Sequence, residues 1–185
     1  FLFLSDFFYE ALLVNKPGVD FHRDQLINCF HHELQLRKKN APLTSVAIID
    51  ENPAQQRLYI EFLVAQEFLK SHGIRCEIFD YQNYKPSSFD VVYNRWTDFY
   101  FADAKSSHLK KSFMDHLDVF SPNPFEYFLL ADKQRMIDWH SDHFKAHFSP
   151  YRKYKKVLDD YVPKAHSLDQ LPKEQIWSER KNYFF

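Results

Sequence analysis

Four consecutive apolar residues, Val46 to Ile49, are followed at once by the acidic pair Asp50-Glu51. A strand with one face in water alternates apolar and polar residues, and this run does not alternate. An unbroken apolar run is typical of a strand buried on both faces, as in parallel sheets covered by helices. The run therefore predicts a parallel sheet in an α/β protein.

The segments around this run follow an alternating order of strands and helices. The order strand, helix, strand, turn, strand, helix, strand predicts a doubly wound, mostly parallel, Rossmann-like sheet over residues 45–121. The predicted elements are a strand ending at Asp50, a helix over 53–72, a strand at 75–80, a strand at 90–94, a helix over 103–117 and a strand at 119–121.

The helix after the first strand carries signals at both ends. Asn52-Pro53-Ala54-Gln55 predicts an N-cap followed by proline in the first helical position. Gly73 stands where a helix C-terminus commonly needs a left-handed residue. The predicted buried stripe between them is Leu58, Phe62, Ala65 and Leu69.

The flanking regions are predicted to be helical. Helices are expected over 3–14 and 20–39, the latter with Ile27, Phe30 and Leu34 facing the core and Cys29 in the core beside them. Residues 123–148 are predicted to form one or two helices, and a strand is expected to begin at 182–185. The predicted organisation is an N-terminal helical segment (1–43), an α/β domain (44–122) and the helical start of a second domain (123–185).

The composition excludes several classes of function. Two glycines in 185 residues leave no glycine-rich phosphate loop. The net charge of -1 argues against non-specific nucleic-acid binding, and no apolar run approaches the length that spans a membrane. A cytoplasmic location is expected. The first residue is Phe1 rather than Met, and both ends suggest a segment of a longer protein.

The carboxyl edge of the predicted sheet is the main candidate site. Ligands of open α/β sheets bind beyond the carboxyl ends of the strands, where the strand order reverses. Asp50 and Asn52 follow the first strand, and Asn94 and Arg95 follow the third. Arg95 is suited to hold a carboxylate, and the acidic residues suit an amine or a hydroxyl. The alternative is an Asp–Arg pair that only ties two loops together.

Two other clusters have weaker chemical signals. His140, His143 and His147 would share one face of a single helix and could meet a metal ion there, but a solvated helix face is the preferred interpretation and no metal site is predicted. The stretch 151–156 alternates tyrosine with cations, a pattern that can bind single-stranded nucleic acid. A solvent-facing segment or a protein contact is preferred there, and no nucleic-acid partner is predicted.

Four short motifs in the same order resemble the N-terminal part of ATP-grasp ligases, in particular the circularly permuted, glutathionylspermidine-synthase-like branch. Residues 46–50 resemble the first strand of the pre-ATP-grasp domain, and residues 91–95 resemble its strand ending in "VYxR". Residues 130–133 resemble the "DK" entry to the ATP-grasp domain. Residues 161–164 resemble the "hxPxT" segment, although Lys164-Ala165 stands where a threonine is usual.

The resemblance implies part of an ATP-dependent carboxylate–amine ligase. Such an enzyme phosphorylates a carboxylate to an acyl phosphate, which an amine then attacks, with ATP and Mg²⁺ as cofactors. It implies that Asp50, Asn52, Asn94 and Arg95 line the substrate side and that Lys133 approaches the nucleotide. Catalytic residues and metal ligands would lie beyond Phe185, so this chain alone would be inactive and would hold neither cofactor tightly.

A second hypothesis is a non-catalytic α/β module that binds a protein partner through aromatic surface. It is motivated by the aromatic content, which is 18% of the chain. A second copy of the chain is a candidate partner, and no membrane partner is expected.

Overall fold

The computed structural model describes residues 19–147 and 151–182 and divides the chain into two compact units, residues 1–124 and 125–185. The predicted helix over 3–14 lies outside the described residues, as do residues 183–185 of the predicted final strand. Residue 182 belongs to a short 3₁₀ helix, Arg180–Asn182, so no strand begins there.

A four-stranded parallel sheet organises the described part of the first unit. The strand order is β2-β1-β3-β4, and every neighbouring pair is parallel. Val46 of β1 lies opposite Cys76 of β2 and Val91 of β3. The α/β prediction is therefore confirmed. The elements are α1 (Val19–Arg37), β1 (Ser45–Asp50), α2 (Tyr59–Ser71), β2 (Arg75–Asp80), β3 (Val91–Asn94), α3 (Ser107–Met114) and β4 (Val119–Ser121).

The first face of the sheet is covered by α1 and α2. Val46 and Ile48 of β1 point to this face, and Phe30 and Leu34 of α1 are buried against it, as predicted. We call this packed group the first-face cluster. Burying one such side chain contributes about 1.5–3 kcal/mol. Cys29, in contrast, is exposed, because only part of the circumference of α1 faces the sheet.

The second face is covered largely by aromatic side chains. Ala47 and Ile49 point to this face, where Leu109 of α3 also packs. The connection from β2 to β3 has no α-helix and contains one 3₁₀ turn, Tyr81–Asn83. Aromatic rings therefore cover this part of the second face. Tyr81 stacks on Trp96 with 3.8 Å between ring centroids. We call this group the second-face cluster, and its buried aromatic members are Tyr81, Tyr84, Phe89, Trp96, Phe101 and Phe120.

The helix after β1 begins later than predicted. Pro53–Gln55 forms an isolated 3₁₀ turn, and α2 starts at Tyr59. Asn52 makes no side-chain cap and has a left-handed backbone (φ 43, ψ 57), so the predicted N-cap is wrong. The C-terminal signal is confirmed: Gly73 has φ 75, and Ile74 N–H donates to the Leu69 carbonyl at 3.0 Å.

Helix α3 is shorter than the predicted 103–117. It is preceded by the 3₁₀ turn Ala104–Ser106 and ends at Met114. The chain then reverses through His116 (φ 56), and Leu117 N–H donates to the Ser112 carbonyl at 3.0 Å. Glycine usually makes this left-handed ending, and here a histidine makes it, so no glycine in the sequence marks the end of the helix.

Two aspartates join elements of the first unit outside the sheet's hydrogen bonds. Asp90 Oδ2 accepts from Thr44 N at 2.9 Å and Ser45 N at 2.8 Å, joining the amino ends of β1 and β3. Asp118, which is buried just before β4, accepts from Tyr84 Oη at 2.8 Å and from the Ser112 hydroxyl.

The second unit is a series of short helices. The predicted helical segment 123–148 is broken into several pieces, because the chain turns at Asp132 and again at Ser141, where ψ is extended. None of the described side chains from 125 to 182 is fully buried. The pieces are Pro124–Glu126, a π-helix Tyr127–Ala131, α4 (Gln134–His140), α5 (Asp142–His147), α6 (Tyr151–Tyr161), a 3₁₀ turn Leu168–Gln170 and α7 (Lys173–Ser178).

Within residues 19–147 and 151–182, none of the helices is both long and apolar enough to cross a bilayer.

Candidate functional site

The strand order reverses between β1 and β3. The chain leaves β1 for β2 on one side and then returns to β3 on the other side. In parallel α/β sheets this reversal opens a crevice beyond the carboxyl ends of the two central strands. The residues at those ends are Asp50 on β1 and Asn94 on β3, followed by Arg95. The structure therefore brings the predicted pair Asp50 and Arg95 to one edge of the sheet.

Asp50 and Arg95 are held in position by the backbone of adjacent strands. Arg95 N–H donates to the Ile49 carbonyl at 2.9 Å, which extends the β1–β3 ladder by one residue. Side chains alternate along a strand, so Asp50 leaves the sheet on the same face as Ile48, and Arg95 on the same face as Tyr93. Both side chains therefore emerge from the first face.

Asp50 is a buried carboxyl group with only 8% of its surface exposed. Burial raises its pKa, and this effect outweighs the hydrogen bond from Glu51 N–H and the positive charge of Arg95, which both lower the pKa. The Glu51 N–H lies 2.7 Å from Asp50 Oδ1. A nearby cation brought by a ligand would stabilise the ionised form of Asp50.

Arg95 is half-buried, and its guanidinium has no hydrogen bond or ion pair within 19–147 and 151–182. The guanidinium carbon of Arg95 lies 5.6 Å from the centroid of the Tyr93 ring, and its charge lowers the pKa of Asp50. A guanidinium presents a planar fork of donors that matches a carboxylate. The donors of Arg95 are available for a ligand in that geometry.

Asp80 is a third carboxylate at this edge, and the sequence analysis missed it. It lies opposite Asp50 in the β1–β2 register. Its Oδ2 accepts from Asn52 N–H at 2.8 Å and its Oδ1 from Gln82 N–H at 2.9 Å. Asp80 thereby fixes the left-handed backbone of Asn52. The available signal was that β2 ends in aspartate, as β1 does.

Asn94 is placed differently from the other predicted residues. It follows Val92 by two positions, so its side chain leaves toward the second face, where it is 1% exposed. Its Oδ1 accepts from Trp96 N–H at 3.2 Å, while Nδ2 has no hydrogen-bond partner in the structure. A buried donor of this kind is uncommon and is generally satisfied by water or a ligand.

Strained backbone is found in the loops after both central strands. Asn52 follows β1 with φ 43, and Phe101 follows β3 with φ 51. Asp98 supports the second loop by accepting from Ala102 N–H and Asp103 N–H, each at 2.9 Å. Left-handed residues other than glycine also occur at Asn40, Ser87 and His116, in loops away from this edge. The candidate site therefore rests on the placement of Asp50 and Arg95 and not on the backbone conformation of these loops.

Lys133, the residue predicted to approach a nucleotide, lies in the second unit. It is exposed and stands immediately before α4. The neighbouring Asp132 Oδ1 accepts from Gln134 N–H at 2.9 Å, which fixes the start of that helix. The role of Lys133 remains a prediction.

The three histidines do not share one helix, so the helical geometry expected from their spacing is wrong. His140 ends α4, and Ser141 separates it from His143 and His147 on α5. His143 and His147 stack with 4.3 Å between ring centroids. Among the described residues, no group of three His, Cys, Asp or Glu side chains is arranged to hold a metal ion.

The aromatic and basic stretch at 151–156 is the first half of α6. Lys155 and Lys156 form ion pairs one turn further along with Asp159 and Asp160. These pairs neutralise half of the four cations in the stretch, which weakens the electrostatic basis for binding nucleic acid.

The fold and this edge define a class: an α/β protein with a doubly wound parallel sheet and polar residues at its switch point. No family model matches the chain, no curated protein matches its sequence, and no solved structure matches its fold.

Proposed function

We propose that this chain is the substrate-binding portion of an ATP-dependent carboxylate–amine ligase of the ATP-grasp type. The observation that carries the proposal is the placement of Asp50 and Arg95 beside each other at the switch point, with no ion pair between them. The order of the short motifs at 46–50, 91–95, 130–133 and 161–164 supports the same class.

Arg95 is proposed to bind the substrate carboxylate. Its guanidinium has no hydrogen-bonding partner in the described chain, and its backbone is fixed by the Ile49 carbonyl. A bidentate contact with this guanidinium orients the carboxylate for attack.

Asp50 is proposed to receive the amine or hydroxyl end of the ligand. Its carboxyl group is buried, and burial raises its pKa. An ammonium group beside Asp50 would offset the free-energy cost of ionising its carboxyl group. A ligand that carries an ammonium and a carboxylate would therefore bind favourably to both Asp50 and Arg95. Asn52 would border this end through the loop that Asp80 holds.

ATP and Mg²⁺ would supply the activation of the carboxylate as an acyl phosphate. With two glycines in its sequence, the chain has no glycine-rich phosphate loop, and the residues that bind the nucleotide phosphates and Mg²⁺ are proposed to lie in sequence following residue 185. Lys133 is the one nucleotide contact proposed within this chain, which by itself is expected to bind substrate without turning it over.

Calorimetry tests the binding part of this proposal. We expect β-alanine, which carries both groups, to bind more tightly than acetate or ethylamine, because it engages Arg95 and Asp50 together. Arg95→Ala should lower the affinity for β-alanine and for acetate by at least about tenfold, the loss expected for a charge-assisted hydrogen bond. Arg95→Lys should recover part of the affinity, because it restores the charge without the planar fork.

The control is Arg57→Ala, which removes an exposed arginine of the same unit. This variant should bind β-alanine as the parent chain does, and circular dichroism should show that Arg95→Ala is folded under the conditions of the titration. Equal binding of β-alanine by the parent and Arg95→Ala would overturn the site. A complete gene product that binds no Mg-ATP would overturn the ligase class while leaving the binding site intact.

Exposed apolar side chains in the second unit favour the alternative, a module that associates with a second copy of the chain. Phe125, Leu130, Tyr161 and Trp177 each expose more than half of their surface. Sedimentation equilibrium of the parent chain and of Leu130→Ser with Trp177→Ser tests it. A dimer that dissociates in the double variant supports self-association, and a monomeric parent chain rules it out.

A further inference from the structure

A cavity of about 300 Å³ lies beside β4, the last strand of the sheet. Val119 of its lining belongs to the first-face cluster and Phe120 to the second-face cluster, so the cavity opens along the outer edge of the strand. The other edge of β4 pairs with β3. The cavity is therefore separate from the carboxyl edge of β1 and β3, and its volume is within the range of small-molecule sites.

Four of the ten residues that line this edge cavity are apolar, and they form one part of its wall. Leu36 comes from α1 and Phe113 from α3, the helices on the two faces, and Val119 and Phe120 form the floor. A ligand that fits such walls carries a hydrocarbon or aromatic body, because burying that body removes apolar area from water on both sides.

Three side chains with hydrogen-bond donors stand at the rim. Arg37 and Lys38 come from the end of α1, and His116 from the turn after α3. Within the residues that the structure describes, these three side chains make no hydrogen bond or ion pair. Their donors are therefore available to a ligand, and an anionic group is the partner that suits them.

The acidic groups of the lining are Asp118 and Glu33. Asp118 accepts from Tyr84 Oη and the Ser87 N–H, and the Ser112 hydroxyl is its third donor. These donors compensate the Asp118 charge, and Glu33 is the second acidic side chain of the lining.

Two helices end at the cavity, and helix C-termini disfavour anions. Backbone caps reduce this effect. Lys38 N–H donates to the Leu34 carbonyl at 2.7 Å, and Leu117 N–H donates to the Ser112 carbonyl at 3.0 Å. The adjacent guanidinium and ammonium charges outweigh what remains of the helix-end charge.

We propose that the edge cavity binds an organic carboxylate with an apolar tail. The carboxylate contacts Arg37 and Lys38, and the tail packs between Phe113 and the floor of Val119 and Phe120. This site does not depend on the function proposed for the carboxyl edge.

Octanoate and the neutral octanol are the probes, titrated into the full chain by calorimetry. We expect octanoate to bind and octanol to bind at least tenfold more weakly. The double variant Arg37→Ala with Lys38→Ala should lower the affinity for octanoate at least tenfold. Glu33→Gln should tighten it about two- to fivefold, because it removes the opposing charge.

Lys39→Ala is the matched control, since Lys39 adjoins Lys38 but does not line the cavity. It should bind octanoate as the parent chain does. Circular dichroism should show all variants folded, which is expected because the altered cations are exposed. Absence of octanoate binding, equal binding of octanol, or equal loss in Lys39→Ala would each overturn the proposal.

Discussion

Asp50 ends strand β1, and Arg95 comes directly after the neighbouring parallel strand β3. A hydrogen bond from Arg95 N–H to the Ile49 carbonyl, at 2.9 Å, places the two residues side by side. This relationship makes the two groups interdependent. Arg95 lowers the pKa of Asp50, while burial of Asp50 raises it by more. Burying a carboxyl group that is ionised in water costs free energy of folding. Such costs are common at residues that bind a ligand.

Asp50→Asn is expected to stabilise the chain at pH 7. The folded-state pKa of Asp50 is raised, so the folded state binds more protons than the unfolded state and stability falls as pH rises between the two pKa values. We expect a gain of about 2–4 °C in melting temperature, or about 1 kcal/mol for a chain of this length. Below about pH 3.9, the usual pKa of aspartate, the gain should vanish.

Thermal melts of the parent chain and Asp50→Asn from pH 7 to pH 3 measure this difference. Asp24→Asn, an exposed carboxyl on α1, serves as the control and should not change the melting temperature. A destabilised Asp50→Asn at pH 7 would contradict the assignment of burial as the dominant effect.

Asp90→Asn is expected to destabilise the chain at pH 7, in contrast to Asp50→Asn. Burial raises the pKa of Asp90, but hydrogen bonds from Thr44 and Ser45 outweigh it, and the net pKa is lowered. Its contribution is therefore present above about pH 3.9 and is lost as pH falls through the lower folded-state pKa. At pH 7 the substitution should cost about 1.5–3 kcal/mol, the range for hydrogen bonds to a charged group.

Urea unfolding at a series of pH values tests this. The difference in free energy of unfolding between Asp90→Asn and the parent chain should become smaller as the pH approaches 2, because the parent then loses the same interaction. A difference that stays constant down to pH 2 would mean that the charge of Asp90 has no part in holding β1 to β3.

Tyr84→Phe is expected to destabilise the second face through Asp118. Burial and the neighbouring Asp118 raise the pKa of Tyr84, so the phenol stays protonated and donates to Asp118 Oδ1 at 2.8 Å. Loss of this charge-assisted bond should cost about 1.5–3 kcal/mol. The exposed Tyr161→Phe is the matched control and should change the free energy of unfolding by less than about 0.5 kcal/mol.

A double-mutant cycle with Asp118→Asn isolates the pair. The effect of Tyr84→Phe should shrink in the Asp118→Asn background, because the acceptor has lost its charge. Strictly additive effects on the free energy of unfolding would show that Tyr84 contributes through packing alone.

Much of the sheet was predictable because its signals are local. The apolar run before Asp50 and the glycine at position 73 gave strand β1 and the end of α2. The ends of β1 and β3 were also predictable, and with them the meeting of Asp50 and Arg95. The resemblance to ATP-grasp ligases and the roles it implies remain predictions.

Other features depended on contacts between distant residues. Asn52 matched an N-cap in sequence, but Asp80 of the next strand binds its backbone N–H and the chain turns left-handed there. That contact with Asp80 is not visible in the local pattern. The histidine spacing suited one helix, but the chain breaks at Ser141, whose hydroxyl accepts from Phe144 N–H at 3.1 Å. This second difference has a local cause, a serine that caps the next helix.

The sequence by itself determined which segments form strands and which residues end them, because periodicity and strand burial are properties of a few consecutive residues. Only the tertiary structure decided that aromatic rings cover the second face together with α3, and that the ends of α1 and α3 meet at the edge of β4. Both depend on the strand order, which is set by the packing of the whole unit and not by any one segment.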